Sequence, residues 1–105
     1  MPAMMIGWTT TETRQEAESL ASGAVERRLA ACAQIEGPIT SIFTWEDKME
    51  KNTEYRLVFK FTESKAEKLQ HWLLENHPYT TPQWVAVKAD KAAPDYLEWV
   101  RRSCR

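Results

Sequence analysis

Ile39-Thr40-Ser41-Ile42-Phe43-Thr44-Trp45-Glu46-Asp47-Lys48-Met49-Glu50-Lys51-Asn52-Thr53-Glu54-Tyr55-Arg56-Leu57-Val58-Phe59-Lys60-Phe61-Thr62 is the stretch that decides the fold. In its second half Tyr55, Leu57, Phe59 and Phe61 recur at every other position, the period of a strand with one buried face. Its first half carries Ile39, Ile42, Phe43 and Trp45, β-branched and aromatic residues that suit a pleated, half-buried surface. Glu46 to Asn52, between them, is charged and has no apolar period, so the pattern predicts two antiparallel strands joined by a polar turn. A two-residue turn at Asp47-Lys48 and a longer loop ending at Asn52 both satisfy it. The register stays open, and a slip of one residue exchanges the two faces.

Upstream, Ala31, Ala33 and Ile35 alternate with Cys32, Gln34 and Glu36, which predicts a strand from about Ala31. Gly37-Pro38 then marks a bend leading into the hairpin, because proline cannot donate to a ladder. Thr13-Arg14-Gln15-Glu16 has the spacing of a capping box, and Ala17, Leu20, Ala21, Ala24 and Leu29 follow at helical spacing. Gly23 inside that helix costs about 1 kcal/mol relative to alanine; close approach of the helix to a sheet is one reason to keep it. Met4 to Thr10 reads as the first strand, with Met4, Ile6 and Trp8 on one face.

Downstream, Ser64-Lys65-Ala66-Glu67 repeats the capping-box spacing ahead of an apolar stripe at Ala66, Leu69, Trp72 and Leu73. That helix stops near Asn76-His77, since the residue before Pro78 disfavours helical geometry. Trp84 to Val87 is a further strand. Pro94 suits the first turn of a last helix, where its missing amide hydrogen costs nothing, and Tyr96, Leu97, Trp99, Val100 and Cys104 supply the apolar side. The expected fold is α+β: a ferredoxin-like split βαβ (βαββαβ) with a long β-hairpin and an extra C-terminal helix, forming one domain over residues 1–105.

The chain of 105 residues is 43% hydrophobic and 28% charged, the balance of a soluble globular protein. Its formal net charge is −1, from 14 basic and 15 acidic residues with no run of one sign, so nucleic acid is not an expected partner. No apolar run is long enough to span a membrane, and Met1-Pro2-Ala3-Met4-Met5-Ile6 lacks the pattern of a signal peptide. Cys32 and Cys104 form no disulfide framework, and free thiols point to the cytoplasm. Five tryptophans in so short a chain point to subunit contacts.

Four ordered strings carry a resemblance: Arg27-Arg28-Leu29-Ala30-Ala31-Cys32, Ser41-Ile42-Phe43-Thr44-Trp45-Glu46 with Lys48, His77-Pro78-Tyr79-Thr80-Thr81-Pro82, and Pro94-Asp95-Tyr96-Leu97-Glu98-Trp99. They resemble, in the same order, strings of the CutA divalent-cation tolerance family, and they span most of the chain from Arg27 to Trp99. The departures are Arg27-Arg28 where the family has Glu before Arg-Leu, Phe43 for its Tyr, and Asp47 for its Gly. The resemblance implies a homotrimer of ferredoxin-like subunits joined through sheet edges and the C-terminal segment, and a link to divalent metals, chiefly copper.

The residues themselves offer several chemistries. Cys32 reads either as a thiolate ligand for a soft metal or as a small buried hydrophobe. His77 reads either as a cap for the last helical carbonyls or as an imidazole ligand for copper. Both are metal candidates, although no spaced partner accompanies either. Trp45, Glu46 and Tyr79 are candidates for a cofactor or small-ligand site at a subunit boundary, with Asp47 and Glu50 as further carboxylates. The chain has no Gly-rich phosphate loop at Thr9 to Thr13 and no nucleophile elbow. With no catalytic pair in the chain, the resemblance implies a non-catalytic, trimeric protein that binds copper or another divalent cation. The alternative is a trimeric sensor module holding a small molecule in its inter-subunit clefts.

Overall fold

The computed structural model describes residues 2–105; Met1, the first residue of the expected domain, lies outside them. The elements run β1 (Met4–Thr11), α1 (Arg14–Glu26), β2 (Cys32–Trp45), β3 (Lys48–Thr62), α2 (Ala66–Asn76), β4 (Val85–Lys88) and α3 (Pro94–Ser103), with a 3-10 turn at Glu63–Lys65 before α2. The four strands form one antiparallel sheet in the order β2-β3-β1-β4. This is the α+β arrangement that the alternating and helical periods called for. The molecule measures 45 × 25 × 22 Å, elongated because β2 and β3 run on past the rest of the sheet.

Residues directly opposite each other on paired strands share a face. Met5, Gly7, Thr9 and Thr11 of β1 face Phe61, Phe59, Leu57 and Tyr55 of β3, and Ala33 and Ile35 of β2 join them. On this face Leu57, Phe59 and Phe61 are sealed together with Ala17, Leu20, Ala21 and Ala24 of α1 and Leu69 and Leu73 of α2. The core side of β1 is thus the one bearing Gly7, Thr9 and Thr11. Met4, Ile6 and Trp8 do share a face, as expected, but it is the opposite one. Trp8 there lies between Val58 and Val85.

The capping box of α1 forms as its spacing requires: Thr13 Oγ1 accepts from the Glu16 amide at 3.1 Å, and the Thr13 amide donates to Glu16 Oε1 at 3.1 Å. The helix ends earlier than its apolar spacing suggested. Arg28 turns left-handed at φ 58°, the Leu29 amide reaches back to Ala24 O and the Arg28 amide to Val25 O. This pair of bonds is the Schellman closure, with arginine where glycine is usual. Leu29 is buried beyond the helix rather than on it. Gly23 is a close approach, but to α2 and not to a sheet: a Cβ there would sit 2.6 Å from the Trp72 ring. The second capping box does not form. Ser64 Oγ pairs with Thr62 Oγ1 at 2.9 Å, within the 3-10 turn that precedes α2. Pro94 opens α3 as expected.

Gly37-Pro38 is a bulge. Glu36 pairs with Arg56 before it and Ile39 with Glu54 after it, so two residues of β2 oppose Tyr55 alone. Gly37 takes φ 153°, and a Cβ on it would lie 2.6 Å from the Tyr55 ring, which excludes larger residues. The extra residue inverts the parity of β2. Cys32, Gln34 and Glu36 share a face with Arg56, whereas beyond the bulge Ile39, Ser41, Phe43 and Trp45 share that face with Glu54, Asn52, Glu50 and Lys48.

Candidate functional site

The hairpin closes in a two-residue turn at Glu46-Asp47, since Trp45 pairs with Lys48. Neither Asp47-Lys48 nor the longer loop is used. Both turn residues are left-handed, at φ 50° and 63°, as the twist-matched primed hairpin turn demands. Asp47 tolerates that conformation, and Glu46 is held in it by the long ladder behind.

Between the hairpin face and the segment after α2 lies an open groove of about 1120 Å³. The hairpin supplies Phe43, Trp45, Glu50 and Glu54, the β1–α1 junction supplies Glu12 and Thr13, and the far wall includes Tyr79. The Tyr79 hydroxyl donates to Glu54 Oε2 at 2.7 Å, tying the far wall to the base of the hairpin. Burial and that hydrogen bond to the Glu54 carboxylate hold the phenol well above its usual range, so Tyr79 is a donor and not a phenolate at physiological pH.

Tyr79 is positioned from behind by His77. Nδ1 of His77 accepts from the Tyr79 amide at 3.1 Å, which leaves Nε2 to carry the proton. Nε2 lies 2.9 Å from Thr10 O and 3.0 Å from Thr9 Oγ1. The imidazole is therefore a strut from the end of α2 to β1. It does not cap helical carbonyls, the bland role expected of it. Burial lowers its pKa below 6.5 despite the Thr10 bond and the nearby Glu16 and Glu54.

The groove thus brings together Trp45 and Tyr79 of the three expected small-ligand residues. Glu46 stays outside, exposed in the turn. The two metal candidates are kept apart. Cys32 sits at the start of β2 opposite Lys60 and near the Tyr96 side chain, while His77 bonds across to Thr9 and Thr10. Both nitrogens of His77 are engaged, and among the described residues no three His, Cys, Asp or Glu side chains are grouped to hold a metal ion. Sequence reasoning missed Glu54 and Glu12. Glu54 shares the beat of β3 that carries Arg56 and Lys60, so it reads as a solvated position; its contact with Tyr79 spans 25 residues and leaves no local signal.

A model of the CutA1 divalent ion tolerance protein family matches residues 5–103. The chain belongs to the CutA1 family. A probable divalent-cation tolerance protein cutA homolog of Encephalitozoon cuniculi is 40% identical over 95 residues, covering 90% of this chain and 82% of that one. The CutA1 fold is shared with a solved divalent ion tolerance protein CutA1 from Ehrlichia chaffeensis, with a TM-score of 0.96 at 30% identity over 100% of this chain and 98% of the other. CutA from Synechococcus elongatus gives a TM-score of 0.94 at 34% identity, covering 100% and 93%.

Proposed function

We propose that this CutA1-family chain acts in divalent-cation tolerance as a non-catalytic homotrimer whose ligand groove lies at a subunit boundary. The observation that carries the reading is the hairpin. Beyond the bulge, β2 has β3 on one side and a free edge on the other, and Ile42, Trp45 and Met49 are 65%, 47% and 81% exposed. A free edge carrying apolar side chains is an aggregation hazard unless another chain covers it. Edge strands β2 and β4 are different surfaces, and a contact between unlike surfaces is safe only when it closes into a ring. Light scattering on the pure protein tests this: we expect three times the protomer mass of 12.2 kDa, and a monomer mass at micromolar concentration sinks the trimer.

The family description names divalent ions, which supports a divalent cation, with copper as the first to test, as the ligand. His77 would have to release Thr10 O or the Tyr79 amide to coordinate one, so Cys32 is the better candidate for a thiolate contact. Titration with copper should therefore weaken in Cys32→Ser and stay unchanged in His77→Gln. The second reading, a small molecule in the groove, is favoured by the aromatic and carboxylate walls around Tyr79 and Glu54. The two unpaired cysteines support a cytoplasmic setting. The balanced charge argues against nucleic acid, and no helix among the described residues is long and apolar enough to cross a membrane.

A further inference from the structure

We propose that His77 is an acid-operated latch: a second proton on its imidazole frees the Tyr79 segment from the hairpin and opens the far wall of the groove. This goes beyond the tolerance reading and stands whether or not the groove takes a ligand. The ring nitrogens carry it. Nδ1 accepts from the Tyr79 amide at 3.1 Å, so Nε2 bears the one proton of the neutral ring. Nε2 has Thr10 O at 2.9 Å and Thr9 Oγ1 at 3.0 Å. An imidazolium has a donor on both nitrogens and no acceptor. Its new N–H would face the Tyr79 N–H, donor against donor. At 8% exposure, with the Tyr79 ring centred 4.9 Å away, the imidazole has little room to turn aside.

The second observation is how the segment after α2 is held. Among the described residues, no backbone–backbone hydrogen bond secures Pro78 to Gln83. Tyr79 pins this stretch twice, by its amide to His77 and by its hydroxyl to Glu54 Oε2. Loss of the first bond loosens the residue that makes the second. Charged groups face the latch from several elements. Glu16 of α1 and Glu54 of β3 favour the imidazolium, and burial outweighs them. Glu12, at the β1–α1 junction, faces the Tyr79 hydroxyl. At the end of α2 Glu75 is taken by His71 at the surface, and β1 presents the neutral Thr9 and Thr10. The latch is therefore shut at neutral pH and opens in acid, below the ordinary histidine value of 6.5.

Nuclear magnetic resonance on the full chain, titrated from about pH 8 to about pH 5 across the histidine range, tests the inference. The His77 ring nitrogens should show the Nε2–H form at the neutral end. As the ring charges, protection of the Tyr79 amide, corrected for intrinsic exchange, should fall about tenfold per pH unit, the slope of one proton. The Tyr79 Cζ shift should move to that of a free phenol in the same step, while the Leu57 and Phe59 amides keep their protection. His71→Gln, at the exposed histidine of α2, should leave the step in place. His77→Gln, which cannot charge, should abolish it. The inference is overturned by an Nδ1–H ring at neutral pH, by a Tyr79 amide that stays protected after His77 has charged, or by a step that survives in His77→Gln. Loss of the Leu57 and Phe59 amides in the same step also overturns it, because that is unfolding of the whole chain. Should His77→Gln fail to fold, the parent and His71→Gln decide the matter by the same readouts.

Discussion

The same two strands build two unlike regions. In the half of β2 and β3 nearest the helices, Leu57, Phe59 and Phe61 are wholly buried against α1 and α2. In the far half, beyond Gly37-Pro38, the ladder continues without a break from Ile39↔Glu54 to Trp45↔Lys48, yet its apolar side chains face outward. The β2–β3 ladder runs through both, but in the near half β3 is also paired with β1, so the near half has both more of its backbone bonded and more of its side chains buried. The near half is stabilised by burial, which contributes roughly 25 cal/mol per Å². The far half is carried by the β2–β3 ladder.

Substitutions can break or sharpen that contrast. The largest effect is expected for Phe59→Ala in the near half: an aromatic ring at zero exposure leaves a cavity, and denaturant unfolding should show a loss of about 3–5 kcal/mol. A loss below 1 kcal/mol would mean that the near half is not the core. Gly7→Ala comes next. The new methyl group would sit 2.5 Å from Trp84 and 3.1 Å from Phe61, an overpacking that costs about 1–3 kcal/mol. If the variant unfolds like the parent, Trp84 swings aside freely and is no part of the packed face.

A smaller effect concerns the His77 strut from the end of α2 to β1. Burial lowers the His77 pKa below 6.5, so the unfolded chain takes up a proton before the folded one does. His77 therefore contributes stability that is complete above pH 6.5 and is lost as pH falls toward its lowered folded-state value. Unfolding measured across this window should show stability dropping with acid in the parent. His77→Gln should show a flatter profile, and an unchanged one would assign the slope to other groups. The smallest effect is expected for Met49→Ala, at 81% exposure: protomer stability should change by less than about 0.5 kcal/mol. A larger loss that grows on dilution would place Met49 under a second subunit.

The near half was legible in sequence because its period is unbroken from Tyr55 to Phe61. The face of β1 was not, since Thr9 and Thr11 are buried beside Leu57 and Tyr55 while Ile6 and Trp8 lie on the opposite face of the sheet, the reverse of what their polarity advertises. The parity of β2 was hidden by the bulge: no alternation drawn through Gly37-Pro38 can hold on both sides of it. The turn was misplaced by one residue because Glu46 is a poor left-handed residue, tolerated only under the ladder's constraint. Of the candidate site, Trp45 and Tyr79 were readable as aromatics near loops. Glu54 and the double engagement of His77 depend on contacts across 25, 67 and 68 positions, and no local pattern encodes them.

The place of β3 in the sheet has a consequence for synthesis. It pairs with β2 through a two-residue turn, but with β1 across 44 positions at Thr11↔Tyr55 and 58 at Met4↔Thr62, counting 55 − 11 and 62 − 4. Closing the first connection is fast and local, whereas the second carries the entropy of a long loop. A chain leaving the ribosome exposes β1 first, and β1 has no strand to pair with until β3 has followed. Its strand neighbours, β3 and β4, both arrive later. The β2–β3 ribbon zips while β1 waits, so in pulse-labelled refolding the hairpin amides should gain protection ahead of those of Met5 to Thr10. The first strand to be made is among the last to be secured.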